Sequence, residues 1–264
     1  MAEQLDRPFA VISDIHGNLD ALQAVLADID ERQIKHIVCL GDVVGYGPQP
    51  AECLDLVMER CAACLMGNHD YGVLYEPYSF NVGAEAACFW TRSALAAEGD
   101  EARRNRRWAY LGAMKLRLVV TTDNERLSEI AFVHGSPRKP INEYVFPDDV
   151  YTNPAKIHSL FERFGKVCFV GHTHVPGVFF DTPDFYGPDE LDGEYELSAN
   201  YKSLINVGSV GQPRDRDSRA SYGIVDDEKV TFVRVPYDID AVVEKINAIS
   251  ELEDYLGTRL QEGR

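Results

Sequence analysis

The segment Val11-Ile12-Ser13-Asp14-Ile15-His16-Gly17-Asn18 constrains this chain more than any other. It reads as a buried strand over residues 9–13 that stops abruptly in an Asp-x-His pair and a Gly-Asn turn. A helical pattern follows from about Leu19. A carboxylate and an imidazole two residues apart at the carboxyl end of a strand point the same way and can share one metal ion. Four later segments repeat the plan, an apolar run that ends in Gly together with His, Asp or Asn. They are Leu40-Gly41-Asp42, Met66-Gly67-Asn68-His69-Asp70, Val133-His134-Gly135 and Val170-Gly171-His172-Thr173-His174. The fold has to bring these five strand ends together.

The intervening sequence describes the scaffold. Leu19, Leu22, Val25, Leu26 and Ile29 recur at helical spacing, which predicts a helix over residues 18–32. A second strand over 37–40 follows, then a helix opened by Pro50 and running to about Arg60, then a short strand at 64–66. This alternation implies a parallel sheet with right-handed crossovers. Residues 71–80 are aromatic and loop-like, and 81–97 and 101–112 read as helices, so 71–112 is expected as a small helical insertion over the mouth of the sheet. Strands are expected at 116–121, 129–133, 167–171, 177–180, 203–207, 221–225 and 229–235, with a helix near 154–164. Residues 181–197 are turn-rich and read as an exposed hairpin or loop. Residues 238–258 read as one closing helix. The whole is expected as a single domain over 1–264.

Bulk properties narrow the function. With 45% hydrophobic and 26% charged residues the chain is an ordinary globular protein, and 264 residues can bury a sizeable core. Its 26 Lys and Arg against 43 Asp and Glu give a net charge of −17, which repels nucleic acid and anionic membranes. No apolar run approaches the roughly 20 residues that span a bilayer. Residues 1–7 are polar and lead straight into the first strand, so the expectation is a cytoplasmic protein. Cys61 and Cys64 have CxxC spacing but no second ligand pair nearby, so they read as core packing rather than a zinc or redox site. His36 and His158 fall outside the five blocks and read as structural.

The candidate ligands are Asp14, His16, Asp42, Asn68, His134, His172 and His174. Two carboxylates, one amide oxygen and four imidazoles are too many for one ion and about right for two ions sharing a carboxylate. Oxygen and nitrogen donors without a thiolate suit Mn²⁺, Fe, Zn²⁺, Co²⁺ or Ni²⁺ rather than a calcium cage. Two such ions about 4 Å apart clamp a phosphate ester.

In this order, the blocks DxH, GD, GNHD, VHG and GHTH resemble the calcineurin-like metallophosphoesterase superfamily. Residues 205–214, Ile-Asn-Val-Gly-Ser-Val-Gly-Gln-Pro-Arg, resemble its small bacterial and archaeal branch. The resemblance implies a four-layer α-β-β-α sandwich of two mixed sheets. It implies one metal on Asp14, His16, Asp42 and His174, a second on Asp42, Asn68, His134 and His172, and in-line attack by a hydroxide between them. Mn²⁺ is the first candidate. His69 would act as general acid or phosphate donor, with Asp70 orienting its ring. The implied substrate is a small phosphodiester or phosphoanhydride, such as a cyclic nucleotide or dinucleoside polyphosphate. A phosphomonoesterase, a protein phosphatase or a non-catalytic metal-binding scaffold are the alternatives. Asn18, Tyr46, Arg138 and Arg214 lie in or beside the site loops and are candidate substrate contacts. The sequence does not set the oligomeric state.

Overall fold

Alternation of buried side chains along the strands determines the layers. The computed structural model describes residues 5–264; residues 1–4, which begin the polar N-terminal segment, lie outside the described residues. In β1 (Phe9–Ile12) all four residues are buried, because both faces of the strand are covered. Phe9 and Val11 face a second sheet, whereas Ala10 and Ile12 face helices α1 (Leu19–Glu31) and α2 (Pro50–Arg60). Together with β2 (His36–Cys39) and β3 (Ala63–Cys64), β1 forms the parallel half of a six-stranded sheet.

Next come α3 (Asn68–Leu74), α4 (Val82–Ala96) and α5 (Glu101–Ala113). The second sheet begins with β4 (Arg117–Thr121) and β5 (Glu129–Val133). Helices α6 (Asp149–Thr152) and α7 (Pro154–Phe161) precede β6 (Val167–Val170), β7 (Gly177–Phe180) and β8 (Phe185–Tyr186). The chain continues through β9 (Glu194–Glu196), β10 (Ser203–Asn206), β11 (Ala220–Val225) and β12 (Lys229–Val235). It closes with α8 (Ile239–Asn247) and α9 (Tyr255–Glu262).

Both sheets are mixed, with strand orders β3-β2-β1-β11-β12-β9 and β4-β5-β6-β10-β7-β8. Phe9, Val11 and Leu40 of the first meet Phe132, Phe169 and Ile205 of the second in the central layer. Phe132 stacks on Phe169 at 5.4 Å and meets the edge of Phe9 at 6.2 Å. On the outer face of the second sheet, Ala131, Cys168 and Leu204 pack on Ile157, Leu160 and Phe161 of α7. This is the α-β-β-α arrangement that the resemblance implies.

Three local readings are corrected. Residues 71–80 are not loop throughout, since α3 begins at Asn68 and runs to Leu74. It is a seven-residue helix, too short for its period to stand out, and Asp70 caps it by accepting from the Gly67 N–H at 3.0 Å. The turn-rich segment contributes two edge strands, β8 to one sheet and β9 to the other. Residues 238–258 are not one helix. The chain turns at 248–254, burying Leu252 and Leu256, and α9 returns along α8, with Gly257 so close that a methyl group there would meet Val243 at 3.2 Å.

Phe132→Ala is expected to lower the unfolding free energy by about 3–5 kcal/mol in urea denaturation, because it empties the layer between the sheets. The same change at half-exposed Phe89 should cost under about 1 kcal/mol.

Candidate metal centre

At the carboxyl ends of the parallel strands the chain turns sharply, and ligand candidates stand at the turns. Asp14, His16, Asp42, His172 and His174 all have left-handed backbones, with φ between 50° and 67°. Such conformations cost non-glycine residues about 1–3 kcal/mol each. They are held by a backbone lattice between the loops: Asp14 N–H donates to Gly41 O at 3.0 Å, His16 N–H to Asp42 O at 2.9 Å and Gly171 N–H to His134 O at 2.9 Å. Gly41, at φ +108°, passes so close to Gly67 that a Cβ would collide with the Gly67 nitrogen.

The side chains converge in three overlapping groups whose potential ligand atoms lie within 4.8 Å of one another: Asp14, His16 and His174; His16, Asp42 and His69; Asp42, His134 and His172. All of these residues are buried. Asp42 Oδ2 lies 3.3 Å from His134 Nε2 and 3.6 Å from His16 Nε2. Its Oδ1 accepts from the His69 N–H at 2.7 Å. Asn68 Oδ1 is 3.1 Å from His134 Nε2, and His174 Nε2 is 3.2 Å from both Asp14 Oδ1 and His16 Nε2. His174 Nδ1 donates to Gln212 O at 2.6 Å, which leaves the Nε2 lone pair for a cation. His134 Nδ1 and His172 Nε2 are buried without a hydrogen-bond partner. Carboxylate and imidazole donors at this spacing, with unsatisfied buried nitrogens, fit divalent transition metals.

The electrostatics agree. Burial works to raise Asp14 and Asp42, but His174 and His134 beside Asp14, and His134 and His69 beside Asp42, hold both carboxyls well below the usual range. Burial lowers His16 and His174, and takes His172 down to about 3. His134 goes the other way, to about 9, because the Asp42 charge outweighs its burial. Burial brings His69 down to about 4, so its ring is neutral at pH 7.

Asp70 departs from the role expected of it. Rather than orienting His69, its carboxylate accepts from the N–H groups of Asp42 (2.7 Å), Val43 (3.0 Å), Val44 (3.3 Å) and Gly67 (3.0 Å). It thus fixes the loop that carries Asp42. His69 is held instead by Cys88, whose Sγ lies 3.6 Å from Nδ1 and whose thiol burial pushes up, and by rings: Phe80 at 4.7 Å and Tyr46 at 4.3 Å. Cys88 lies in α4, and nothing local in the sequence marks it as a neighbour of His69.

The expected substrate contacts are placed differently from one another. Tyr46, buried, packs against both His16 and His69, and the Arg214 guanidinium sits 6.0 Å from its ring centre. Arg214 is oriented by the Gln212 side chain and by its own N–H on His174 O. Asn18 caps α1 through Ala21 and donates to Gly211 O at 2.9 Å. Arg138 is turned to Glu143 at 2.5 Å and to Ser159, and braces its own loop. Cys61 and Cys64 pack on the α1–α2 side of the core, where burial pushes both thiols up.

Residues 7–176 match the family model described as calcineurin-like phosphoesterase. The chain belongs to the calcineurin-like phosphoesterase family. It is similar to an uncharacterised protein of Methanocaldococcus jannaschii, 40% identical over 97% of this chain and 98% of that one. It is also similar to the crystal structure of a metallophosphoesterase from Sphaerobacter thermophilus, 35% identical, with a TM-score of 0.78 over 97% of this chain and 98% of that one. A hypothetical protein from Pyrococcus horikoshii shares the fold at a TM-score of 0.73 and 22% identity, over 97% and 98% of the two chains. The protein is therefore a phosphoesterase, a hydrolase. No helix among its described residues is long and apolar enough to cross a membrane.

Asp70→Asn keeps the size of the side chain but turns an NH₂ toward backbone donors. It is expected to weaken metal binding about 10- to 100-fold, measured by metal titration of the purified protein.

Proposed function

We propose that this phosphoesterase uses two divalent transition-metal ions to hydrolyse a small soluble phosphodiester or phosphoanhydride, of the cyclic-nucleotide or dinucleoside-polyphosphate class. The observation that supports it is the position of Asp42, whose carboxylate belongs both to the group with His16 and to the group with His134 and His172. Asp14, His16, Asp42 and His174 would hold one ion, and Asp42, Asn68, His134 and His172 the other. The donor set suits Mn²⁺ first and also accommodates Fe, Zn²⁺, Co²⁺ or Ni²⁺. Bound there, the ions supply Lewis acidity to the phosphoryl oxygens and an acidic water near neutral pH.

The chain's own residues do the rest. His69, neutral at pH 7, offers an N–H to a phosphoryl or leaving-group oxygen, and Cys88, Phe80 and Tyr46 fix its ring. Arg214 brings a positive charge to the His69 and His174 side, where it can hold a non-reacting phosphoryl oxygen. Tyr46 and Asn18 shape that side of the site. With Arg138 engaged by Glu143, its role in substrate binding is indirect. The net charge of −17 favours a small substrate over polymeric nucleic acid.

The test is turnover of bis-p-nitrophenyl phosphate beside p-nitrophenyl phosphate by protein stripped of metal and reloaded with Mn²⁺. The diester is expected to lead in kcat/KM by roughly tenfold or more, equivalent to about 1.4 kcal/mol of barrier. His69→Ala should lower that turnover by about 10²–10³. A lead for the monoester would instead assign a phosphomonoesterase.

Asp42→Asn should remove turnover and bound metal together, the latter read by elemental analysis. Full activity in that variant would overturn the two-metal reading.

A further inference from the structure

We infer that Arg214 and Arg259 together form a subsite for a second phosphate of the substrate, beside the one that reacts. The inference rests on the phosphoesterase reading and deepens it, because it selects the phosphoanhydride over the cyclic nucleotide. A cyclic nucleotide has a single phosphate, which the metal centre takes. An anhydride carries a neighbouring phosphoryl group that needs a cationic partner of its own.

Helix α9 brings Arg259 to the site. Its Leu256 and Leu260 share a small cavity with His16, Asn18 and Tyr46. The end of α9 lies against the loop that follows Arg214: Arg216 N–H donates to Gly263 O at 2.9 Å, and a Cβ at Gly263 would meet the Arg216 and Asp217 backbone at 2.8 Å. Arg259, in the last turn of α9, thus stands beside Arg214. Burial and the Arg214 charge bring its guanidinium down, and both charges pull on the Tyr46 phenol, which burial pushes up. Tyr46 packs on His16 and His69 with the Arg214 guanidinium 6.0 Å from its ring centre, so the subsite adjoins the metal centre.

Two half-buried like charges side by side are unfavourable, and carboxylates are plentiful in a chain with 43 Asp and Glu. Other sheltered arginines use them: Arg7, Arg107 and Arg234 each lie within 4.0 Å of two. Among the described residues neither Arg214 nor Arg259 has an Asp or Glu side chain in that range. Their donors are only partly used. Arg214 gives Nε and Nη2 to Gln212 Oε1, while Arg259 gives Nε to Arg264 O at 2.5 Å and lies over Tyr255 at 5.5 Å. Nη1 of Arg214 and both terminal nitrogens of Arg259 donate to no described residue. A phosphate between the two guanidinium groups satisfies these donors and cancels the repulsion.

Two measurements on Mn²⁺-loaded protein test this. The first is the ratio of kcat/KM for diadenosine diphosphate to that for 3′,5′-cyclic AMP. Arg259→Gln should lower the ratio roughly tenfold or more, the worth of hydrogen bonds to a charged group, and Arg259→Lys should recover part of it. If Arg259 only closes α9 and packs on Tyr255, Arg259→Gln slows both substrates together with the ratio unmoved, and the subsite is overturned. A parent that hydrolyses cyclic AMP alone also overturns it. The second is equilibrium dialysis of trace methylenediphosphonate beside trace methylphosphonate, neither of which can be hydrolysed. The parent should hold the diphosphonate more tightly, and Arg259→Gln should narrow that preference roughly tenfold at equal metal content. Where Arg259→Gln does not fold, Arg214→Gln, in the loop, takes its place with the same expected losses. Should the parent hydrolyse neither nucleotide, the substrate reading fails, and dialysis alone decides the subsite. A preference narrowed by the substitution sustains it; an unaltered preference, or a parent that binds neither phosphonate, removes it.

Discussion

Two carboxylates, Asp14 and Asp42, are sealed from water, and among the described residues no lysine or arginine is paired to either. Isolated buried anions cost several kcal/mol each, so the surroundings have to supply cationic partners. Here the imidazolium of His134 does so, and His16, His172 and His174, the other candidate imidazole ligands, stand around the pair uncharged. The balance explains why His134 alone among them is driven up, to about 9, while His16, His172 and His174 are driven down: it faces the charge of Asp42 most directly. The same balance makes the cluster a receptor for divalent ions, which replace partial proton occupancy by full positive charge.

Holding those groups requires the scaffold to accept strain. Left-handed turns at five candidate ligand positions are unfavourable singly, and hydrogen bonds between neighbouring strand ends hold them. Gly41 and Gly171 allow those strand ends to touch: a side chain at 171 would collide with Ser13 and Asp14. Asp70 completes the lock from below, spending its carboxylate on backbone rather than on the reacting ring. Rigidity of this kind positions ligands within the small tolerances that catalysis demands.

What the sequence revealed was governed by range. Ligand candidates were legible because strand, Gly turn and His or Asp are contiguous; Asp14-Ile15-His16 and His172-Thr173-His174 carry their geometry locally. Individual strands were legible for the same reason, since continuous apolar runs such as Val167–Val170 announce strands buried on both faces, whereas the four-layer arrangement followed from the resemblance carried by the five blocks. Features set by distant partners were not legible. Cys88 reaches His69 only because α4 packs back over α3, and Arg138 is claimed by Glu143 through a loop whose fold no periodicity reports. Asp70 follows a ligand so closely that a role toward His69 is the natural reading, yet the capping demand of Gly67 and the Asp42 loop outcompetes it. The break between α8 and α9 likewise reflects Leu252 and Leu256 turning into the core.

The position of β1 has a consequence for biosynthesis. It lies between β2 and β11, pairing Phe9 with His36 on one side and with Val225 on the other. A ribosome has therefore made the strand carrying Asp14 and His16 some two hundred residues before its second neighbour exists. Until β11 arrives, β1 is an apolar edge with unpaired backbone groups, the kind of surface that chaperones recognise and that aggregates when left waiting. The candidate metal centre is accordingly completed late in the chain's assembly, although Asp14 and His16 are among the earliest residues made.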